Sequence, residues 1–135
     1  MRLVRHGEAG REKPGMLDRN GQIRDLSVLV DDIAGNTLSD DVIEALRNHD
    51  PLSLPTVAPT TRLGPCVGNV GNFICIGLNF EDHALEAGLP IPQEPVVFMK
   101  STSAISGPFD DVIRPKGSQK MDWEIELAIV IGKRA

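Results

Sequence analysis

The sequence predicts an α+β fold that is mainly β and is built from two successive modules. An Asn-Gly pair at residues 20 and 21 is the strongest β-hairpin signal in the chain. Apolar runs typical of strands dominate the second half, and the helical segment between them is short. Residues 50–65 contain four prolines and lack helical periodicity. They predict a mostly extended connector, with a module boundary near residue 62.

Composition restricts the classes of partner. The chain has 135 residues, of which 41% are hydrophobic and 24% charged, and its net charge is −5. Acidic residues are in excess and no Lys/Arg cluster occurs, so we expect neither nucleic acid nor a membrane as partner. The sequence contains no long apolar segment, so we expect neither a signal peptide nor a membrane span. With only two cysteines and no predicted signal peptide, we expect buried, reduced thiols and a cytoplasmic protein. Neither cysteine has a histidine close by in sequence, so we do not expect a catalytic cysteine.

The first module, residues 1–62, is expected to begin with short strands. They are predicted at residues 2–5, 16–18 and 23–26, with residues 18–21 as the turn between the last two. A helix should follow from an N-cap at Ser39 to about Asn48. Asp40 and Asp41 complement the positive end of its dipole. An apolar stripe completes the pattern and consists of Val42, Ile43, Ala45 and Leu46.

The second module, residues 63–135, contains the residue types that carry chemistry. Strands are predicted at residues 72–78 and 96–99, and a short helix at residues 80–87 lies between them. His83 and Glu86 are three residues apart on that helix, so their side chains share a face. Lys100 follows the second of these strands.

Two carboxylates interrupt an apolar strand that is predicted at residues 122–132. Alternation would place Glu124 and Glu126 on one face, about 6.6 Å apart along the strand. Two like charges at this spacing can bind one cation, and hard oxygen ligands favour Mg²⁺, Mn²⁺ or Ca²⁺. The alternative is that both glutamates lie on the wet face of a half-buried strand. The opposite face would carry Trp123, Ile125, Leu127, Ile129 and Ile131.

The beginning of the chain suggests one possible function. Leu3-Val4-Arg5-His6-Gly7-Glu8-Ala9 resembles the signature of the histidine phosphatases. That resemblance implies that His6 is phosphorylated and that Arg5 binds phosphate. The family has a helix shortly after this motif, whereas Lys13-Pro14-Gly15 and a hairpin are predicted here.

A second resemblance covers nearly the whole chain. The sequence resembles the first half of a bacterial member of the fumarylacetoacetate hydrolase family, from the branch with a small amino-terminal domain. The matching blocks are in the family's order and spacing. They are residues 12–18 with 23–27, residues 73–86, residues 95–100 with 103–108, and residues 122–127.

This resemblance implies a metal-dependent enzyme. Its fold would be a small β-rich domain followed by the incomplete start of a mixed-β catalytic domain, and the full-length protein would be a homodimer. Glu124 and Glu126 would bind Mg²⁺ or Mn²⁺ (Ca²⁺ in some members), and a third ligand is expected beyond residue 135.

The implied reaction cleaves a carbon–carbon bond of a 2,4-dioxo acid through a metal-stabilised enolate. His83 would be the general base, Glu86 would orient it, and Lys100 would bind the substrate carboxylate. Isomerisation or decarboxylation of related oxo acids stays open, as does a fragment without activity.

Overall fold

The computed structural model describes residues 1–133, and residues 134 and 135, the end of the predicted second module, lie outside the described part. Contacts divide the chain into two compact units. Unit 1 contains residues 1–69 together with residues from 106 onward, and unit 2 contains residues 70–105. Both helices and strands occur, so the predicted α+β class is confirmed at that level. The finer assignment to modules 1–62 and 63–135 stays a prediction.

Unit 1 begins with a three-stranded antiparallel sheet in the order β1-β2-β3. The strands are Leu3–His6 (β1), Lys13–Leu17 (β2) and Ile23–Asp25 (β3). The predicted hairpin is confirmed, because Leu17 pairs with Ile23 across the turn. The second strand starts earlier than the pattern indicated, since its first residues pair with β1.

The hairpin turn is organised by the buried carboxylate of Asp18. One of its oxygens accepts the backbone N–H groups of Asn20 at 2.9 Å and Gln22 at 3.0 Å. The other accepts two bonds from the Arg24 guanidinium, at 2.8 and 2.9 Å. Gly21 has φ +79°, a left-handed conformation that glycine adopts without strain. Turn chemistry and one ion pair together fix this register.

The predicted helix is present as α1, Asp40–Asn48, with Ser39 as its N-cap residue. The Ser39 hydroxyl bonds the Asp41 carboxylate at 2.5 Å rather than a backbone amide. Two residues of the apolar stripe pack as expected, with Leu46 buried and Val42 in contact with the core, whereas Ile43 is only partly buried and Ala45 is exposed. The core of unit 1 consists of Met16, Leu26, Ile33, Leu46 and Leu54.

The proline-rich segment is extended, but it belongs to unit 1 rather than bridging two bodies. Leu54 is buried in the core, Thr56 bridges to Arg24, and Leu63 bridges to His6. A short 3-10 turn at Pro51–Ser53 interrupts it. Local composition indicated the extension, whereas the packing depends on strands far away in sequence.

Unit 2 is a two-stranded antiparallel sheet with one short helix. The strands are Phe73–Gly77 (β4) and Val96–Lys100 (β5), and the helix is Glu81–Glu86 (α2). The three elements predicted for this region are therefore confirmed, with ends that differ by one residue. Phe73 pairs with Lys100 and Gly77 pairs with Val96. Ala84 is the one buried residue within residues 70–105.

The strand predicted at residues 122–132 is not formed in the described structure. Residues 119–132 contain no helix or strand. The apolar side chains that were predicted to share one face of the strand are about four-fifths exposed. A strand needs a neighbour that accepts its hydrogen bonds and covers its apolar face, and no described segment does so here. The prediction of a regular strand was therefore wrong for this structure. The exposed side chains are Trp123, Ile125, Leu127, Ile129 and Ile131.

Both helices are short. Within residues 1–133, no helix has the length and apolar character needed to cross a membrane.

Candidate active site

His83 and Glu86 both lie in α2, as the sequence predicted. The segment is helical because Glu81 and Asp82 occupy its first turn and Gly88, with φ +65°, follows its end. Both side chains are exposed, and no hydrogen bond joins them in the described structure. The predicted pair is therefore accessible to a substrate or water, but its internal hydrogen bond is not formed.

Lys100 is the last residue of β5 and lies opposite Phe73 in β4. Its side chain is exposed. The strand thus holds the backbone of Lys100 in an ordered position within the same unit as α2. Its ammonium group is free to meet an anionic group from solution.

Glu124 and Glu126 belong to unit 1 and lie in its irregular segment. Both are exposed, and they form no ion pair in the described part of the chain. Their oxygens are hard donors that suit Mg²⁺, Mn²⁺ or Ca²⁺. Within residues 1–133, however, no group of three or more His, Cys, Asp or Glu side chains is arranged to hold a metal ion. The donor type fits such a cation, and the number of ligands is incomplete.

The five predicted site residues therefore form two sets. His83, Glu86 and Lys100 lie in unit 2, and Glu124 and Glu126 lie in unit 1. The roles predicted for all five stay predictions.

The alternative site at the start of the chain has a structural role. His6 is 4% exposed, and its Nε2 has no hydrogen-bond partner. Arg5 donates from Nε to Asp32 at 2.6 Å, and its guanidinium also faces Glu12 at 3.6 Å. A phosphatase needs an accessible histidine and an arginine that can bind phosphate. Here the histidine is buried and the arginine is already paired.

A network of charged side chains in unit 1 was not found by sequence reasoning. Arg62 binds Asp110 and Glu12, which are 48 and 50 positions away in sequence. Hydrogen bonds from Arg62 hold the pKa of Asp110 below its usual value. Burial acts to raise the pKa of Glu12, but the hydrogen bonds from Arg62 and from its own backbone N–H, together with the charges of Arg5 and Arg62, outweigh burial and lower the pKa. No local motif marks partners at such separations.

Comparison with protein families gives an independent result. Residues 72–135 match the family model described as "Fumarylacetoacetate (FAA) hydrolase C-terminal". The matched segment contains His83, Glu86, Lys100, Glu124 and Glu126.

Curated relatives match almost the whole chain. A Burkholderia ambifaria protein is 59% identical over 132 residues, which are 98% of this chain and 47% of the relative. A Burkholderia cenocepacia protein is 58% identical over 134 residues, covering 99% of this chain and 48% of the relative. A Burkholderia multivorans protein is 58% identical over 132 residues, which are 98% of this chain and 47% of the relative. All three are provisionally named hydrolases. The chain spans about half the length of these relatives.

Proposed function

Because this chain belongs to the fumarylacetoacetate hydrolase family, we propose that the protein of which it forms a part is a divalent-metal-dependent hydrolase of a 2,4-dioxo acid. One observation carries the proposal: the segment that matches the family model contains all five residues to which chemistry was assigned. The provisional naming of the relatives as hydrolases supports the same reaction class.

Glu124 and Glu126 are the residues that would hold the metal, with further ligands from outside the described residues. Their hard oxygens favour Mg²⁺ or Mn²⁺, and Ca²⁺ has the same ligand preference. A bound cation would supply Lewis acidity toward the neighbouring oxygens of the substrate. The exposure of both carboxylates supports this role, because it leaves them accessible to a cation from solution.

His83 is proposed as the general base. Its imidazole would accept a proton from the attacking water, and Glu86, one helical turn further on, would orient the ring through a hydrogen bond that forms only when the site is occupied. Lys100 pairs with the carboxylate of the substrate. Water adds to the carbonyl carbon, the adjacent carbon–carbon bond breaks, and its electron pair ends on the carbon that is then protonated. The products are a carboxylic acid and a 2-oxo acid, which together account for the substrate and one water molecule.

Related oxo-acid chemistry is the second candidate. Isomerisation or decarboxylation would use the same residues, and product analysis separates these reactions from hydrolysis. The phosphatase alternative is disfavoured by the burial of His6 and the pairing of Arg5 with Asp32.

The test is a turnover assay of the full-length protein with acetylpyruvate, following loss of the enol absorbance in the presence of Mg²⁺ or Mn²⁺. We expect turnover that a chelator abolishes and that His83→Ala lowers by about 10²–10⁴-fold. The double variant Glu124→Gln/Glu126→Gln should lose activity. Glu8→Gln/Glu94→Gln, which changes the net charge equally at two exposed positions, should not.

Two results would contradict the proposal. Turnover that is unchanged by the chelator would show that the reaction needs no metal. Equal activity of the Glu124/Glu126 variant and the unsubstituted protein would show that these two residues are not the metal ligands. A folded full-length protein without turnover under any condition would mean that this chain is a non-catalytic part of it.

A further inference from the structure

The chain leaves unit 1 to form unit 2 and then returns. We call residues 62–64 the outgoing stem and residues 106–110 the returning stem, and both belong to unit 1. Between them, residues 70–105 carry His83, Glu86 and Lys100. The two stems close a long loop of chain, and their contacts determine how well that loop is closed.

A planar ion pair joins the two stems. Arg62 Nε donates to Asp110 Oδ1 at 2.7 Å, and Arg62 Nη2 donates to Asp110 Oδ2 at 2.5 Å. The two parallel bonds are the strong, orientation-specific form of an arginine–carboxylate contact. The backbone N–H of Gly107 donates to the same carboxylate at 2.7 Å, so Asp110 also fixes the turn of the returning stem.

Backbone packing joins the stems at a second point. A Cβ atom added at Gly107 would collide with the carbonyl oxygen of Leu63, so this approach is possible only for glycine. The contact lies one residue beyond Arg62 on the outgoing stem.

The outgoing stem is itself anchored on the sheet of unit 1. Arg62 Nη1 donates to Glu12 Oε1 at 2.9 Å and to the carbonyl of Gly7 at 3.2 Å. The side chain of Glu12 is only 7% exposed. Two backbone hydrogen bonds hold the stem along β1. The N–H of Gly7 donates to the carbonyl of Arg62 at 2.9 Å, and the N–H of Gly64 donates to the carbonyl of Arg5 at 2.8 Å. Arg62 therefore connects an anchored stem to a stem that would otherwise be held by fewer contacts.

We infer that Arg62 is a positioning residue, whose paired bonds to Asp110 close the loop of residues 70–105 and thereby stabilise the fold of unit 2. This unit has little core of its own, since Ala84 is its one buried residue. A two-stranded sheet is marginally stable alone. Its open end, where Phe73 pairs with Lys100, leads to the stems. Closing the stems restricts the unfolded loop and favours the paired strands.

The inference rests on the proposed function only for the catalytic use of His83, Glu86 and Lys100. Its test therefore uses hydrogen exchange of the backbone amides, without substrate or metal. In Asp110→Asn, we expect amides of β4 and β5 to exchange about tenfold faster or more, with β1 and β3 unchanged. Arg62→Gln should accelerate exchange in β4 and β5 to the same extent and leave β3 unchanged, but it should also affect β1, because it removes the bonds to Glu12 and Gly7. Arg62→Lys keeps the positive charge but cannot donate the two parallel hydrogen bonds to Asp110, so β4 and β5 should exchange at an intermediate rate.

Arg24→Gln is the matched control. It removes another arginine–carboxylate ion pair, in which Nε and Nη2 of Arg24 both donate to Oδ2 of Asp18, and neither partner is a stem residue. It should accelerate exchange in β2 and β3 and leave β4 and β5 unchanged.

Several outcomes would overturn the inference. Unchanged β4 and β5 exchange in both Arg62→Gln and Asp110→Asn would show that the ion pair does not hold the unit. Faster exchange spread evenly over both units would reduce Arg62 to a general stabilising residue. Amides of β4 and β5 without protection in the unsubstituted chain would leave no unit to be held. Loss of turnover has no influence on these results.

Discussion

At the scale of single residues, Gly15 is closely surrounded by side chains of the neighbouring strands. This residue lies in the middle of β2 and is buried. A Cβ atom at this position would lie 2.9 Å from Cδ2 of His6 and 3.1 Å from Cγ2 of both Val4 and Ile23. No local sequence signal marks this role of Gly15, and only the neighbouring strands reveal that it makes room for the His6 ring.

Replacing Gly15 with alanine should destabilise the protein by about 1–3 kcal/mol, because the added methyl group must displace packed side chains. Urea unfolding followed by circular dichroism measures the change. Gly71→Ala is the control, since a Cβ at Gly71 meets nothing within 4 Å. Equal stability of the Gly15 and Gly71 variants would mean that the His6 ring moves aside without cost.

At the scale of elements, the predicted helices and strands agree with the structure wherever the segment with which each one pairs or packs is close in sequence. The β2–β3 hairpin follows from Asn20-Gly21, and α1 follows from its acidic first turn and apolar stripe. The short unit 2 elements were also predicted, because apolar runs and glycine or proline stops mark them. The strand at residues 122–132 has the right pattern but lacks a described partner. A strand pattern is thus necessary for pairing and does not guarantee it.

The hairpin should lose stability in acid. The hydrogen bonds from Arg24, followed by those from Gln22 and Asn20, hold the pKa of Asp18 below its usual value. Because the pKa of Asp18 is lower in the folded state, its charge stabilises the fold at pH values above the unfolded-state pKa of about 3.9. This stabilisation disappears as the pH falls through the folded-state pKa.

Asp18→Asn should therefore be less stable than the unsubstituted chain at pH 7, and the difference should shrink below about pH 4. Thermal unfolding across this pH range measures it. The exposed Asp31 provides the control variant, Asp31→Asn, which should change little at any pH. A stability difference that persists unchanged in acid would contradict the role of the Asp18 charge.

At the scale of the whole molecule, the most unusual feature is the exposed apolar segment at residues 123–131. Trp123 is 81% exposed and Leu127 is 84% exposed. Such a run without a described partner strand is a template for pairing with another chain. The same segment carries Glu124 and Glu126, so the order of the proposed metal ligands depends on what covers it.

Concentration-dependent self-association should follow from this exposure. Trp123 is the single tryptophan, so its emission should be that of a water-exposed indole in dilute solution and should shift to the blue as the protein concentration rises. Leu127→Lys/Ile129→Lys should abolish the shift, because two charges oppose strand pairing.

The control is Val112→Lys/Ile113→Lys, which adds the same charge at two exposed apolar residues outside the segment. It should leave the shift intact. Loss of the shift in both variants would assign the association to net charge alone.

The sequence by itself determined the fold class, the hairpin, both helices, the strands of unit 2 and the family. The structural elements depend on turn residues, caps and periodicity, all of which act over a few positions, and the family follows from blocks of similar sequence. Only the tertiary structure decided that His6 is buried, that the proline-rich segment packs on the sheet, and that Arg62 binds Asp110 and Glu12. Contacts across dozens of residues depend on how elements pack in space, and no local pattern specifies that packing.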